Sequence, residues 1–211
     1  MRTFTHWTPH YVSDRLKNIW YIRRYPDRPW ITRTAHDVLD SFLRETDVGL
    51  EFGSGRSTIW FAKRVARLTS VESDPGWHQR VTSRLASEHI SNVESHLFPG
   101  AEEPGQGLQS DYANVAQRFA PGSLDFVLVD GLYRDSCALL SLDKIRPGGL
   151  LVIDNVNWFL PSASRAPASI RSESELRDEN WKTLHRTLSS WRRIWTTDGV
   201  TDTAIFIKPL S

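Results

Sequence analysis

With 211 residues, 39% of them hydrophobic, and a formal net charge of +1, the chain is long enough to bury one sizeable core. No apolar run approaches the roughly 20 residues that a bilayer-spanning helix needs, and residues 1–16 lack the apolar centre of a secretory signal, so a cytoplasmic setting is expected. A single cysteine, Cys137, excludes an internal disulfide and a cysteine-based zinc site.

Residues 1–33 carry seven Lys/Arg against two Asp/Glu, a surplus of +5 that leaves −4 on residues 34–211. This basic segment includes NIWYIRRYPDRPW. It reads either as a helix packing its aromatics on the core, or as a substrate cover or dimer contact. Residues 34–211 form the main domain, with no internal repeat. TAHDVLDSFLRE places Val38, Leu39, Phe42 and Leu43 at helical spacing. VGLEF is a first strand, STIWFAKRVA the helix behind it, and RLTSVE a second strand. In DPGWHQRVTSRLASEH, Asp74 is the expected N-cap and Pro75 the first helical residue, with Trp77, Val81 and Leu85 on one face. NVESHLF is a third strand. LDFVLVD is a fourth, apolar nearly throughout as a central strand should be. LYRDSCALLSLDKI is a helix expected to stop at Arg146-Pro147-Gly148-Gly149, ahead of a fifth strand, LLVID. The Pro-, Ser- and Arg-rich stretch over 156–171 reads as a long loop covering the substrate. LRDENWKTLHRTLSSW is a further helix, and RRIWTTDGVTDTAIFIKP two strands about a turn at Asp198-Gly199. Strands alternating with helices predict a parallel sheet, here closed by an antiparallel hairpin.

Glu51-Phe52-Gly53-Ser54-Gly55-Arg56-Ser57 joins the first strand to its helix. Glycines there permit a tight turn and close approach of a ligand, and the helix N-terminus offers free N–H groups. The third glycine of the dinucleotide fingerprint is missing, and no Lys-Ser/Thr follows to make a phosphate-binding loop. The second strand ends in Glu72, where a carboxylate can accept hydrogen bonds from the ribose hydroxyls of an adenosine cofactor.

Through LEFGSGRST, SVESDPGW, LDFVLVDG and RPGGLLVIDN, the chain from about residue 32 to residue 208 resembles the class I S-adenosylmethionine-dependent methyltransferases. Within them it is most similar to the small catechol and caffeoyl-CoA O-methyltransferases. The resemblance implies a Rossmann-like α/β three-layer sandwich with a seven-stranded, mostly parallel sheet and a C-terminal antiparallel hairpin. It implies an enzyme that methylates a hydroxyl of a small or glycan-like substrate. It also implies that Gly53, Ser54, Gly55 and Ser57 surround the methionyl part of S-adenosylmethionine, that Glu72 holds its ribose, and that Glu51 belongs to the cofactor site. Ser73, Trp77, Ala101, Glu102 and Asp130 then complete the cofactor pocket, Trp77 being equally readable as core.

In the catechol-type group the ends of strands four and five bind Mg²⁺, and the matching residues are Asp130 and Asp154-Asn155. Two carboxylates and an amide oxygen on neighbouring strands form a hard ligand set, which would lower the pKa of a bound hydroxyl. Strand-end aspartates are also common at the ligand edge of any α/β sheet, so metal dependence stays open. The group's lysine base is replaced by Tyr133, followed by Arg134. Arginine cannot act as a base, so the base is Asp130, Tyr133, a histidine or metal activation. Arg134 either orients the substrate or forms an internal ion pair. Among the histidines, His78, His89 and His185 read as surface residues, while His36 could roof the site. Nucleic acid is not an expected partner. The alternatives are a nicotinamide-dependent oxidoreductase, weakened by the hairpin and the missing glycine, and a non-catalytic cofactor-binding relative.

Overall fold

The computed structural model describes residues 8–210; the start of the basic segment, residues 1–7, lies outside them. Helix α1 (Pro9–Arg24) is capped by Thr8, whose hydroxyl accepts from the Tyr11 N–H, and buries none of its side chains. Its polar side meets the body. Asn18 Nδ2 donates to Asp198 Oδ2 at 2.8 Å, while Leu16 and Trp20 point outward, each 62% exposed. Helix α2 (Arg33–Phe42) seats Ala35 and Leu39, with Leu43 continuing the i, i+4 stripe beyond its end. Phe42, expected inside, therefore falls on the solvent side.

The sheet contains β1 (Val48–Phe52), β2 (Arg67–Glu72), β3 (Val93–Leu97), β4 (Leu124–Val129), β5 (Ile145–Asp154), β6 (Arg192–Thr197) and β7 (Asp202–Ile207). Its seven strands run in the order β3-β2-β1-β4-β5-β7-β6. The first five are parallel, and β7 is antiparallel to both β5 and β6. Alternate residues of β4 feed two cores. Val127 and Val129 face Ala113 of α5 (Asp111–Asn114), Cys137 and Ala138 of α6 (Arg134–Ser141) and Leu184 of α7 (Glu179–Leu188). Phe126 and Leu128 face Leu39 of α2 and Phe61 of α3 (Arg56–Ala62). Burial on both faces explains the unbroken apolar run of that strand. Helix α4 (Pro75–Ser87) starts as expected, with the Asp74 carboxylate accepting the Trp77 N–H, and packs Val81 and Leu85 on Ile59.

Two expectations change. The Arg146–Gly149 stretch does not separate helix from strand; it is the bulged entry to β5, whose pairing with β4 shifts register between Leu124 and Phe126. Residues 156–171 line neither of the two cavities described below. They are tied to the sheet edge by Asn157, whose side chain donates to the Pro167 carbonyl and accepts from Asp202 N–H, and by Phe159 stacked on Trp181 at 4.7 Å. No helix among the described residues is long and apolar enough to cross a membrane.

Candidate active site

The strand order reverses between β1 and β4, so the connections leaving these two strands diverge and open a crevice at their C-terminal ends. A cavity of about 410 Å³ lies there, lined by the loop from Gly53 to Ser57, by Glu72, Ser73 and Trp77, by Asp130, Gly131 and Leu132, and by Trp30. Gly53, Ser54, Gly55, Ser57, Glu72, Ser73, Trp77 and Asp130 thus meet around one space, although they come from three strand ends and a helix. Trp30, from the segment before α2, closes it; nothing in the motifs pointed to this residue.

Gly53 has φ +96°, and a Cβ there would stand 2.8 Å from the backbone carbonyl of Asp130. The turn and the neighbouring strand end can approach this closely only because the position has no side chain. Glu72 organises the loop. Its Oε2 accepts the Ser54 N–H at 3.0 Å, and Oε1 accepts the N–H groups of Ser73 and Asp74 at 2.7 and 2.9 Å. The Trp77 indole N–H donates to the Ser54 carbonyl, and its ring stacks on Trp30 with centroids 5.7 Å apart. Arg56 lies over the outer face of Trp30 and Arg80 over Trp77, at 4.9 and 4.6 Å. Two rings between two guanidinium groups form a cation–π ladder across the mouth. Trp77 is both: it walls the cavity and packs against the Ile59, Val81 and Leu85 cluster.

Glu51 lies one layer below, fully buried. Its Oε2 accepts from the hydroxyls of Thr58 and Ser70 at 2.6 and 2.7 Å, and Thr58 in turn accepts the Gly55 N–H. Its Oε1 has no partner among the described residues. Burial pushes this carboxyl up to about 7, against the pull of the surrounding hydroxyls, with the charge of Asp130 adding to the rise. An acceptor buried without a donor is costly, and a cofactor bearing an ammonium supplies the missing donor chemistry. With the close-packed glycine turn, this fits the cofactor implied by the sequence resemblance.

At the end of β4, Asp130 lines the cavity with Oδ1 bound to Arg134 at 2.9 Å. Burial pushes its carboxyl up to about 6, opposed by the Arg134 charge and assisted by Glu72. Oδ2 has no hydrogen-bond partner among the described residues.

Arg134 takes the place proposed for a metal. Its Nε donates to Gly131 O at 3.2 Å; one terminal nitrogen donates to Asp154 O and to Asn155 Oδ1, the latter at 3.0 Å; the other donates to Asp130 O and Oδ1 at 3.2 and 2.9 Å. All five of its N–H donors are used, so it forms the internal ion pair and has none left for a substrate. The Asp154 carboxylate turns away to accept the Thr203 hydroxyl at 2.6 Å, and burial together with the Asp130 charge raises its pKa. Mg²⁺ needs oxygens at about 2.0–2.1 Å in an octahedron, which a guanidinium sitting among the same oxygens prevents. As arranged, Asp130, Asp154 and Asn155 do not fit the ion.

Three further expectations are corrected. The Tyr133 hydroxyl is no base for a substrate in the cavity: it is buried, accepts the Glu103 N–H at 2.8 Å and donates to Ala101 O at 3.3 Å. Ala101 and Glu102 belong to that contact, Glu102 accepting the Tyr133 N–H at 3.1 Å, and neither lines the cavity. His36 is buried beside Trp60 and pairs with Asp37 at 2.9 Å, away from the crevice. His78 is tied to Ser95 at 3.0 Å.

A second cavity, of about 370 Å³, opens between α1, residues 29–34 and the β6–β7 turn, with Trp20, Tyr21, Ile31 and Asp198 in its walls. Trp30 borders both cavities. Thr201, on the wall of the second, accepts from Asn155 Nδ2 at 2.6 Å, and Asn155 leads through Arg134 to Asp130.

Residues 50–156 match the family described as "Methyltransferase domain". Among solved structures, a candidate caffeoyl-CoA O-methyltransferase from Staphylococcus aureus is similar over 94% of this chain and 97% of that one, at 16% identity and TM-score 0.58. SMU.1697c, a candidate methyltransferase from Streptococcus mutans solved in complex with SAH, is similar over 84% of this chain and 99% of that one, at 11% identity and TM-score 0.56. An rRNA methylase from Streptococcus thermophilus is similar over 87% of this chain and all of that one, at 12% identity and TM-score 0.55. No curated protein matches the sequence significantly.

Proposed function

The chain belongs to the methyltransferase-domain family and is an S-adenosylmethionine-dependent methyltransferase, and from that premise we propose that it methylates a hydroxyl oxygen of a small, aromatic or glycan-like acceptor. The observation that carries this reading is Asp130, a carboxylate on the cavity wall with one oxygen held by Arg134 and the other without a hydrogen-bond partner. The cofactor supplies a methyl group on a sulfonium, already a good leaving group. The chain's task is then to align the acceptor oxygen, exclude water and take up its proton.

Glu72 would hold the ribose hydroxyls, the Gly53–Ser57 loop the methionyl part, and Trp30 with Trp77 the mouth. Burial raises the Asp130 carboxyl while its ion pair with Arg134 favours the ionised form, leaving Oδ2 to receive the hydroxyl proton as the new O–CH3 bond forms and the S–CH3 bond breaks. Since Arg134 already occupies the oxygens of the strand ends, the proposal gives this role to Asp130 and to no divalent ion. The second cavity, with aromatic walls and the polar Asp198 and Thr201, has the size of a small-molecule site. It would hold the body of the acceptor.

The test is transfer of labelled methyl from the cofactor to panels of phenols, sugars and RNA. Asp130→Asn should lower kcat by about 10²–10⁴-fold while leaving S-adenosylhomocysteine affinity within a few fold. Methylation of RNA alone, or full activity of Asp130→Asn, would refute the reading. The outward stripe of α1, with Val12, Leu16 and Ile19 exposed, supports a homodimer contact; a monomeric mass by light scattering at concentrations on the order of 50 μM, well above a micromolar Kd, would refute that part.

A further inference from the structure

We propose that Arg134 is the resident cation of this site: its guanidinium substitutes for a divalent ion, and the oxygens it holds form a latent cation site that opens when its side chain is removed. The five acceptors are the carbonyls of Asp130, Gly131 and Asp154, the Asp130 carboxylate and the Asn155 amide oxygen. All are oxygens, the donor type that hard cations select. They come from the ends of β4 and β5, which sheet pairing up to Val129 and Ile153 sets side by side.

Placement follows from local geometry. Asp130 is the residue after β4, and Tyr133 adopts the left-handed conformation, φ 47° and ψ 46°, as N-cap of α6. That turn sends Arg134, the first residue of α6, back over the strand ends rather than outward. Non-glycine residues enter this region at a cost, and the buried Tyr133 phenol, bonded to the 101–103 loop, keeps it there. Asn155, also left-handed at φ 53°, turns the chain after β5 so that its side chain meets the same guanidinium on one side and Thr201 on the other.

The charges agree with the assignment. The Asp130 charge bears on Asp154, and the Asp154 carboxylate satisfies itself on Thr203 instead of joining the cluster. One carboxylate and four neutral oxygens match a single positive charge. An arginine supplies it permanently, at any pH the protein meets. Because all five donors are spent, Arg134 is a positioning residue: it fixes Asp130 Oδ1 and leaves Oδ2 for the cavity. The arrangement would make cofactor binding and turnover indifferent to chelators.

Mn²⁺ binding to the full chain, followed by electron paramagnetic resonance, tests this without turnover. Wild type should take up no stoichiometric Mn²⁺ at micromolar concentration, and its S-adenosylhomocysteine affinity should be unchanged by EDTA. Arg134→Ala, or the closer-fitting Arg134→Gln, should lose thermal stability and gain one Mn²⁺ site per chain. Saturating Mn²⁺ or Ca²⁺ should then raise the variant's midpoint by about 5–10 °C at a hundredfold excess over Kd, and Na⁺ at equal ionic strength should not. Adding Asp130→Asn should remove the acquired site, whereas Arg134→Lys should never show it. A stoichiometric Mn²⁺ site in wild type would overturn the proposal, and so would soluble Arg134→Ala and Arg134→Gln that take up none.

Discussion

Glu51→Gln should make the unliganded protein less sensitive to rising pH. The Glu51 carboxyl is fully buried, and burial lifts it from an ordinary value of 4.5 to about 7. In the unfolded chain the group ionises near 4.5, while in the folded protein it keeps its proton until about 7. Stability from this group is therefore complete below about 4.5 and is lost as pH rises through about 7. A gap of about 2.5 units at 1.36 kcal/mol each is roughly 3 kcal/mol. For a domain of this size that corresponds to about 6–12 °C in midpoint. Urea or thermal denaturation of both proteins at pH 5 and pH 8 reads most of it as a difference of differences: the wild type should lose about 2–3 kcal/mol relative to Glu51→Gln between the two. Parallel curves would refute the reasoning. The bound cofactor adds a second readout. If its ammonium completes Oε1, S-adenosylhomocysteine affinity in wild type should rise about tenfold from pH 6 to pH 8, following the ionised fraction of Glu51, and stay flat in the variant.

The other expectations concern the walls and the supporting contacts. Gly53→Ala places a Cβ at φ +96° and 2.8 Å from the Asp130 carbonyl; it should destabilise the fold by about 1–3 kcal/mol and abolish S-adenosylhomocysteine binding in a calorimetric titration, normal affinity being the refuting result. Trp30→Ala removes one ring of the four-member ladder and should weaken the same ligand by about 2–10-fold, mainly through faster dissociation in stopped-flow fluorescence. Tyr133→Phe removes two hydrogen bonds to the 101–103 loop and should cost about 1–2 kcal/mol of stability, with the pH–rate profile unmoved; loss of a rise in rate with increasing pH would restore Tyr133 as the base.

Most of the fold was legible because its signals are local. The apolar run of β4, the alternating strands, the Asp74-Pro75 helix start and the Asp198-Gly199 turn are each decided within a few residues, and the structure has them in place. Arg146–Gly149 misled for the opposite reason. A Pro-Gly-Gly stretch reads as a stop, yet pairing with β4 across the sheet recruits it into a bulged strand. The cofactor side of the site was readable because a glycine turn and a strand-end acid lie a fixed distance apart in chain and space. Trp30 was not readable there: its partners Trp77 and Arg56 are far along the chain, and an aromatic in a basic stretch carries no sign of where it stacks.

The metal reading shows where motif logic ends. Asp130 and Asp154-Asn155 occupy the strand-end positions that in similar enzymes hold Mg²⁺, and neighbouring strand ends do bring their backbones together. What the motif leaves out is the next occupant of the space. Arg134 lies four residues beyond Asp130, across a non-helical turn that ends in left-handed Tyr133, and it is the first residue of α6. The pattern Asp-x-x-x-Arg across a strand–helix junction thus carried the signal of an internal ion pair. A cation fixed there competes for the same oxygens as any ion from solution, and its tether to α6 gives it a high effective concentration. Only a guanidinium turned outward would leave those oxygens vacant, and the left-handed turn at Tyr133 directs it inward. Identical ligand residues can therefore serve a bound metal in one chain and a side-chain cation in another, with the deciding residue outside the motif.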